Sequence, residues 1–103
     1  MDKLTSRQRA HLRKLAHHLK PIVLVGTDGV TPAVLSSVND AFRTRELIKV
    51  KLQESAPLHV KDAAGELSSG VTGAHSVQTI GRTIVLYRPD PETPEIKLPK
   101  AGS

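Results

Sequence analysis

Cysteine is absent from the 103-residue chain. That excludes disulfides, thiol nucleophiles and zinc–thiolate sites, and is neutral about compartment. Aromatic residues are almost absent: one Phe, one Tyr and no Trp. Phe42 falls on the apolar stripe of a helix and reads as core. Tyr87 falls in a strand and reads as half-buried. A sheet that binds RNA by stacking bases on exposed rings is therefore not expected. Long apolar runs are also missing. The densest, residues 22–25 (IVLV), is far too short to cross a bilayer. The charged N-terminus lacks the apolar segment of a secretory signal, which points to the cytoplasm. The length suits one domain, and 38% apolar residues permit a modest core.

Enzymatic patterns are missing as well. His11, His17, His18, His59 and His75 include no pair at the i, i+4 helix spacing of a metal site, and no carboxylate cluster accompanies them. The serines lack a Gly-x-Ser-x-Gly elbow. The carboxylates are scattered, with Asp90, Glu92 and Glu95 in the tail. No catalysis, metal, cofactor or small-molecule substrate is expected.

What the chain does have is positive charge, unevenly placed. The net charge is +5, and residues 1–51 carry ten Lys/Arg against four Asp/Glu, whereas residues 52–103 carry five against six. A basic half on a small domain suggests a polyanionic partner. The bland alternative is a solvated, soluble surface.

The coarse pattern alternates helix and strand. Thr5 or Ser6 caps a first helix, with Gln8 or Arg9 in its first turn. Leu12, Leu15, Ala16 and Leu19 follow at helical spacing, with Leu4 and Gln8 on the same side. Arg7, Arg9, His11, Arg13, Lys14, His17 and His18 spread over the remaining arc. Pro21 ends the helix, because the residue before proline avoids the helical region. Residues 22–25 then read as a strand that is central or covered on both faces. Thr31 caps a second helix with Pro32 at its first position, and Val34, Leu35, Val38, Ala41 and Phe42 form its buried stripe. In residues 46–53 (ELIKVKLQ), Ile48, Val50 and Leu52 face one way, and Lys49, Lys51 and Gln53 the other. That is a strand with a wet, basic face.

Ser55-Ala-Pro57 looks like a third helix start. Val60, Ala64, Leu67 and Val71 keep helical spacing, although Gly65, Ser68, Ser69 and Gly70 weaken it. HSVQTIG and RTIVLYR read as strands joined by a tight Gly81-Arg82 turn. Four prolines after Arg88 and a Gly-Ser end mark an extended tail, which Ile96 and Leu98 can pin to the body. The order α-β-α-β-α-β-β predicts an α/β fold, a two-layer sandwich of a four-stranded mixed sheet with helices packed on it. Residues 1–98 are expected to form one domain, and 89–103 a Pro-rich, partly extended tail.

The stretch LVGTDGVTP (residues 24–32) has three readings. Asp28-Gly29 fits a hairpin turn, but the helix start at Thr31-Pro32 opposes a strand directly after it. A Walker loop needs glycines five apart followed by Lys and Ser/Thr, and here they are three apart. The third reading is a Gly-x-x-Gly loop through which a nucleic-acid backbone approaches. Glycines permit positive φ and remove side-chain bulk, and successive N–H groups beside a helix start form a concave anion site. Asp28 repels phosphate there, so nearby cations must outweigh it. Plain strand-to-helix turns use glycine too.

Together, HLRKLAHHLKPIVLVGTDGVTPAVLSSVNDAFRTRELIKVKL, QTIGRTIVLYRP and IKLP resemble the CRM domain (chloroplast RNA splicing and ribosome maturation), most closely its stand-alone bacterial YhbY-like form. The ordered set is Leu-Lys-Pro before the first strand, Gly-x-x-Gly after it, Glu-Leu-Ile-Lys-Val-Lys, and the closing Gly-Arg-Thr-Ile-Val-Leu-Tyr-Arg-Pro. The third-helix segment departs from the family in being rich in Gly and Ser. The resemblance implies a fold like the C-terminal domain of bacterial initiation factor three. It also implies binding of structured RNA, ribosomal RNA of large-subunit precursors in the bacterial members.

By the same resemblance, Gly26, Thr27, Asp28 and Gly29 form the loop that meets the phosphate backbone. Arg7, Arg9, Arg13, Lys14, Lys20, Lys49 and Lys51 then supply the cations. The expected protein is a non-catalytic, monomeric factor of ribosome biogenesis that binds no membrane. The alternative is a module docking on ribosomal proteins or an assembly factor.

Overall fold

The computed structural model describes residues 3–100. In chain order the elements are α1 (Ser6–Ala16), β1 (Pro21–Val25), α2 (Pro32–Ala41), β2 (Leu47–Leu52), α3 (Val60–Gly70), β3 (His75–Ile80) and β4 (Thr83–Tyr87). The strands form one sheet in the order β1-β2-β4-β3, with β1 and β2 parallel and the other pairs antiparallel. The α/β class, the mixed four-stranded sheet and the element order are as the sequence predicts.

The layering is richer than the two layers expected, because helices lie on both faces of the sheet. Ile84 and Leu86 join a core with α2 and α3, whereas their neighbours Val85 and Tyr87 join a second core with α1. Alternate residues of one strand point to opposite faces, so the sheet is sandwiched. Tyr87 is consequently 1% exposed instead of half-buried. Its strand is internal and both of its faces are covered. Burial, and then the charge of Glu46, push the Tyr87 hydroxyl pKa up.

β1 also departs from expectation. It is an edge strand, and only its Val23 and Val25 face the α2/α3 core. Ile22 and Leu24 are 44% and 55% exposed. A short apolar run does not say whether a strand is central; here the reach of α1 decides. That helix covers Leu47, Val77, Val85 and Tyr87 and leaves the β1 side of its face open.

Local chemistry explains the helix ends. Thr5 Oγ1 accepts from the Gln8 N–H at 3.1 Å, and Gln8 Oε1 accepts from the Thr5 N–H at 3.0 Å, a reciprocal capping box. Thr31 Oγ1 caps α2 by accepting from the Val34 N–H at 3.2 Å, with Pro32 at the first helical position. α3 starts at Val60, not at Ser55-Ala-Pro57. The Ala56 N–H closes a turn onto the Gln53 carbonyl at 3.0 Å, and His59 caps the helix by accepting from the Lys61 N–H at Nδ1. The two-residue Gly81-Arg82 hairpin places positive φ only at Gly81 (58°), the pattern of a II′ turn.

The two weakening glycines of α3 differ in role. A Cβ on Gly65 meets nothing within 4 Å, whereas one on Gly70 lies 2.8 Å from Leu35 Cδ2 and 3.0 Å from Cδ1. Gly70 is where α3 approaches α2. In urea unfolding, Gly65→Ala is expected to stabilise by about 0.5–1 kcal/mol. Gly70→Val should destabilise by about 1–3 kcal/mol through overpacking. Equal effects would show that Leu35 yields freely.

Glu46, immediately before β2, is 8% exposed. Its Oε2 accepts from the Asp90 N–H at 2.6 Å, and its Oε1 accepts from Glu95 and Ile96 N–H groups at 2.8 and 2.7 Å. The tail is thereby strapped across the α1 face. Ile96 and Leu98 pack into the second core as expected, and Gln8 Nε2 donates to the Pro99 carbonyl at 3.0 Å. The last tail residues, 101–103, lie outside the described residues.

Candidate nucleic-acid interface

The glycine loop is a closed turn. The Gly29 N–H donates to the Gly26 carbonyl at 3.0 Å, which leaves Thr27 and Asp28 exposed at the tip. Gly29 is buried with φ of +72°, where an L side chain is strained, and it sits beside Pro57 and Leu58. A Cβ on Gly26 would come within 2.9 Å of Gln53 Oε1. Gly29 is therefore required by the turn itself, whereas a side chain at Gly26 would displace only the end of the exposed Gln53 side chain. The Gly29 N–H is spent within the turn, and the parts that can meet a ligand are Thr27, Asp28 and the α2 N-terminus. The loop geometry alone fits a tight strand-to-helix turn as well as a phosphate approach.

The sheet sets the cations relative to this loop. Lys49 and Lys51 alternate with Val50 and Leu52, so they lie on the α1 face, beyond the helix. Lys51 is exposed and pairs in register with Leu24, two residues before Gly26; Lys49 is half-buried. Lys51 and the loop therefore belong to one region, whereas Lys49 pairs with Pro21 toward the far end of β1. Lys20 is exposed at the opposite end of β1, roughly 16 Å from the loop by strand rise.

The α1 residues divide. Gln8, Leu12 and Ala16 face the sheet. Arg7 and Lys14, seven residues apart, share the outer side of the helix, and both are exposed. Arg13 is exposed in the last turn, where a cation complements the helix dipole. Arg9 is half-buried, and its Nη1 donates to the Ser76 carbonyl at 2.6 Å and the Val77 carbonyl at 3.0 Å. The β3–β4 register shifts at that point, so Arg9 satisfies carbonyls of the irregular edge and bolts α1 to β3.

Two arginines absent from the sequence expectation now have places. Arg82 is exposed on the β3–β4 turn at the loop end of the sheet, 3.3 Å from Glu54 Oε1. Its backbone carbonyl accepts from the Leu52 N–H. Its sequence signals are its position in the hairpin and in the closing Gly-Arg-Thr motif. Arg88 is a strut: its guanidinium lies 5.0 Å from the Phe42 ring centre and donates to Asn39 Oδ1 at 2.8 Å. It walls a cleft of about 610 Å³ with Phe42, Ala74 and Pro91, away from the glycine loop. Among the described residues no group of three His, Cys, Asp or Glu is placed to hold a metal. Among the same residues, no helix is long and apolar enough to cross a membrane.

Residues 4–88 match the model of the CRS1/YhbY (CRM) domain. A Bacillus subtilis protein named "Probable RNA-binding protein YqeI" is 42% identical over 93% of this chain and 99% of its own length. A Haemophilus influenzae protein named "RNA-binding protein" is 40% identical over 97% and 99%. The solution structure of SAV1595 from Staphylococcus aureus superposes with a TM-score of 0.79 at 38% identity, covering 94% of this chain and all of that one. The sequence match spans β2, which carries both lysines, and the glycine turn between β1 and α2, and the chain belongs to the CRS1/YhbY (CRM) domain family.

Proposed function

We propose that this protein is a non-catalytic RNA-binding factor whose target is ribosomal RNA in precursors of the large subunit, and that it acts as a cytoplasmic monomer. The observation that carries the reading is the alignment of Lys51 with Leu24 beside the 26–29 turn, on the uncovered half of the sheet. A phosphate backbone laid along this face meets Lys49 and Lys51, then the turn and the start of α2. The relatives named as RNA-binding proteins support RNA as the polyanion, and the family resemblance supports the ribosomal precursor.

The test is sucrose-gradient sedimentation of lysates containing wild type or Thr27→Glu. Thr27 is exposed at the turn tip, so this variant adds a negative charge without disturbing Gly29. Wild type should travel with large-subunit precursors, and the variant should shift to the top. With purified RNA and about five phosphate contacts, log K against log salt should slope by roughly −3.5 to −4.5. A slope near zero would sink the reading. Association that survives ribonuclease and high salt would instead identify a protein-docking module.

A further inference from the structure

Five large apolar side chains are exposed in the described structure, and two of them, Leu24 and Ile80, are each 55% exposed. They are not scattered. Leu24 pairs with Lys51, Lys51 with Thr83, and Thr83 with Ile80. Residues paired across strands share a face, so Leu24, Lys51, Thr83 and Ile80 form one transverse row over all four strands. At ordinary strand spacing the row is roughly 14 Å long. Ile22 and Lys49 lie on the same face, in the direction of α1. Arg9 fixes the helix to β3 at Ser76 and Val77, short of this row. One end of the row meets the glycine turn and the other the Gly81-Arg82 hairpin.

We propose that this row is a platform for the bases of an unpaired RNA segment; the inference rests on RNA being the ligand. Phosphates alone are served by cations, and a duplex hides its base faces. A row with apolar ends and a central ammonium suits a strand whose bases lie flat on Leu24 and Ile80 while a phosphate meets Lys51. Aliphatic side chains cover base faces as aromatic ones do, with smaller gain per base. The paucity of aromatics therefore does not remove base contact from this sheet. Charge argues against a second copy as the occupant: two such faces in apposition bring Lys49 and Lys51 against each other. The row is specific to unpaired RNA, whereas the turn and the helix cations serve any phosphate backbone.

The experiment compares an unstructured mixed-sequence oligoribonucleotide with an RNA duplex of matched length, by fluorescence anisotropy. The proteins are wild type, Leu24→Gln/Ile80→Gln and Lys51→Gln. The substituted apolar side chains are more than half exposed, and a thermal melt checks that each variant folds. The double variant should lose roughly tenfold in affinity for the unpaired probe, with its salt slope unchanged and duplex binding unaltered. Lys51→Gln should weaken both probes and flatten both slopes by about 0.7–0.9. Equal losses of the double variant on the two probes, or no loss on either, overturn the platform while leaving RNA binding intact. Binding of neither probe by wild type overturns the RNA reading itself. Dimerisation of wild type that the double variant abolishes assigns the row to a second copy, and overturns the platform.

Discussion

Glu46→Ala should unfasten the tail and lower the unfolding free energy by about 2–4 kcal/mol. For a domain of this size that moves the melting temperature down by roughly 10–20 °C. Three backbone N–H groups, those of Asp90, Glu95 and Ile96, converge on one buried carboxylate. Hydrogen bonds to a charged group contribute roughly 1.5–3 kcal/mol each. Two effects reduce the net loss. Alanine removes the desolvation cost of the carboxylate, and a released tail regains conformational entropy. Against this, Ile96 and Leu98 leave the second core, and their burial is lost with the strap. Glu46→Gln keeps one acceptor oxygen and should lose less than alanine. Limited trypsin digestion supplies an independent readout, because Lys97 is exposed beyond the strap. Glu46→Ala should be trimmed there first. An alanine variant that melts with wild type and resists trimming would show that the strap contributes nothing net.

The parts of this fold that were legible in the sequence are those fixed within a few residues. Thr5 or Ser6, and Thr31 with Pro32, announce their helix starts because a cap and its partners lie within one turn, and the structure settles the first cap on Thr5 with Gln8. The alternation of Ile48, Val50 and Leu52 with Lys49 and Lys51 fixes the two faces of β2 before any partner is known. Glu46 was invisible, since its three partners lie 44 to 50 residues away. Arg9 reads like any other basic residue of an amphipathic helix, and only the irregular β3 edge, 67 and 68 residues on, gives it carbonyls to satisfy. Continuous hydrophobicity in residues 22–25 suggested cover on both faces, but the placement of α1 leaves Leu24 bare. The candidate site divides in the same way. The glycine turn and the lysine row are local features. Their adjacency, and the alignment of Leu24 with Ile80 across four strands, require the sheet order.

Neutralising Lys49 and Lys51 together should give the largest loss of RNA affinity among charge-removing pairs. Each phosphate contact carries roughly 0.7–0.9 of a log unit per decade of salt. Lys49→Gln/Lys51→Gln should therefore reduce the slope by about 1.4–1.8 and weaken binding about thirtyfold at 0.1 M salt. Both lysines stand on the low-dielectric sheet face, Lys51 beside the glycine turn and Lys49 further along the strand, in register with Pro21. Arg13→Gln/Lys14→Gln removes as much formal charge, but from an exposed helix end that water and salt screen more fully. That pair also removes cations from the negative end of the helix dipole, at about 0.3–1 kcal/mol each. Its stability must be measured beside its affinity.

The fourfold variant then separates two geometries. If one RNA runs from the helix end across the open sheet to the turn, all four cations act on the same molecule. Distant sites then add in free energy, and the loss should be the product of the two pairs, on the order of a few hundredfold to a thousandfold. If the helix and the sheet face hold RNA in alternative poses, removing one pair leaves the other pose available. The single pairs would then show small losses and the fourfold variant a disproportionate one. The additive result is expected, because Arg9 holds α1 against the same sheet face that carries Lys49 and Lys51. Such a rigid mount lets one backbone meet both sets of cations without rearrangement of the domain.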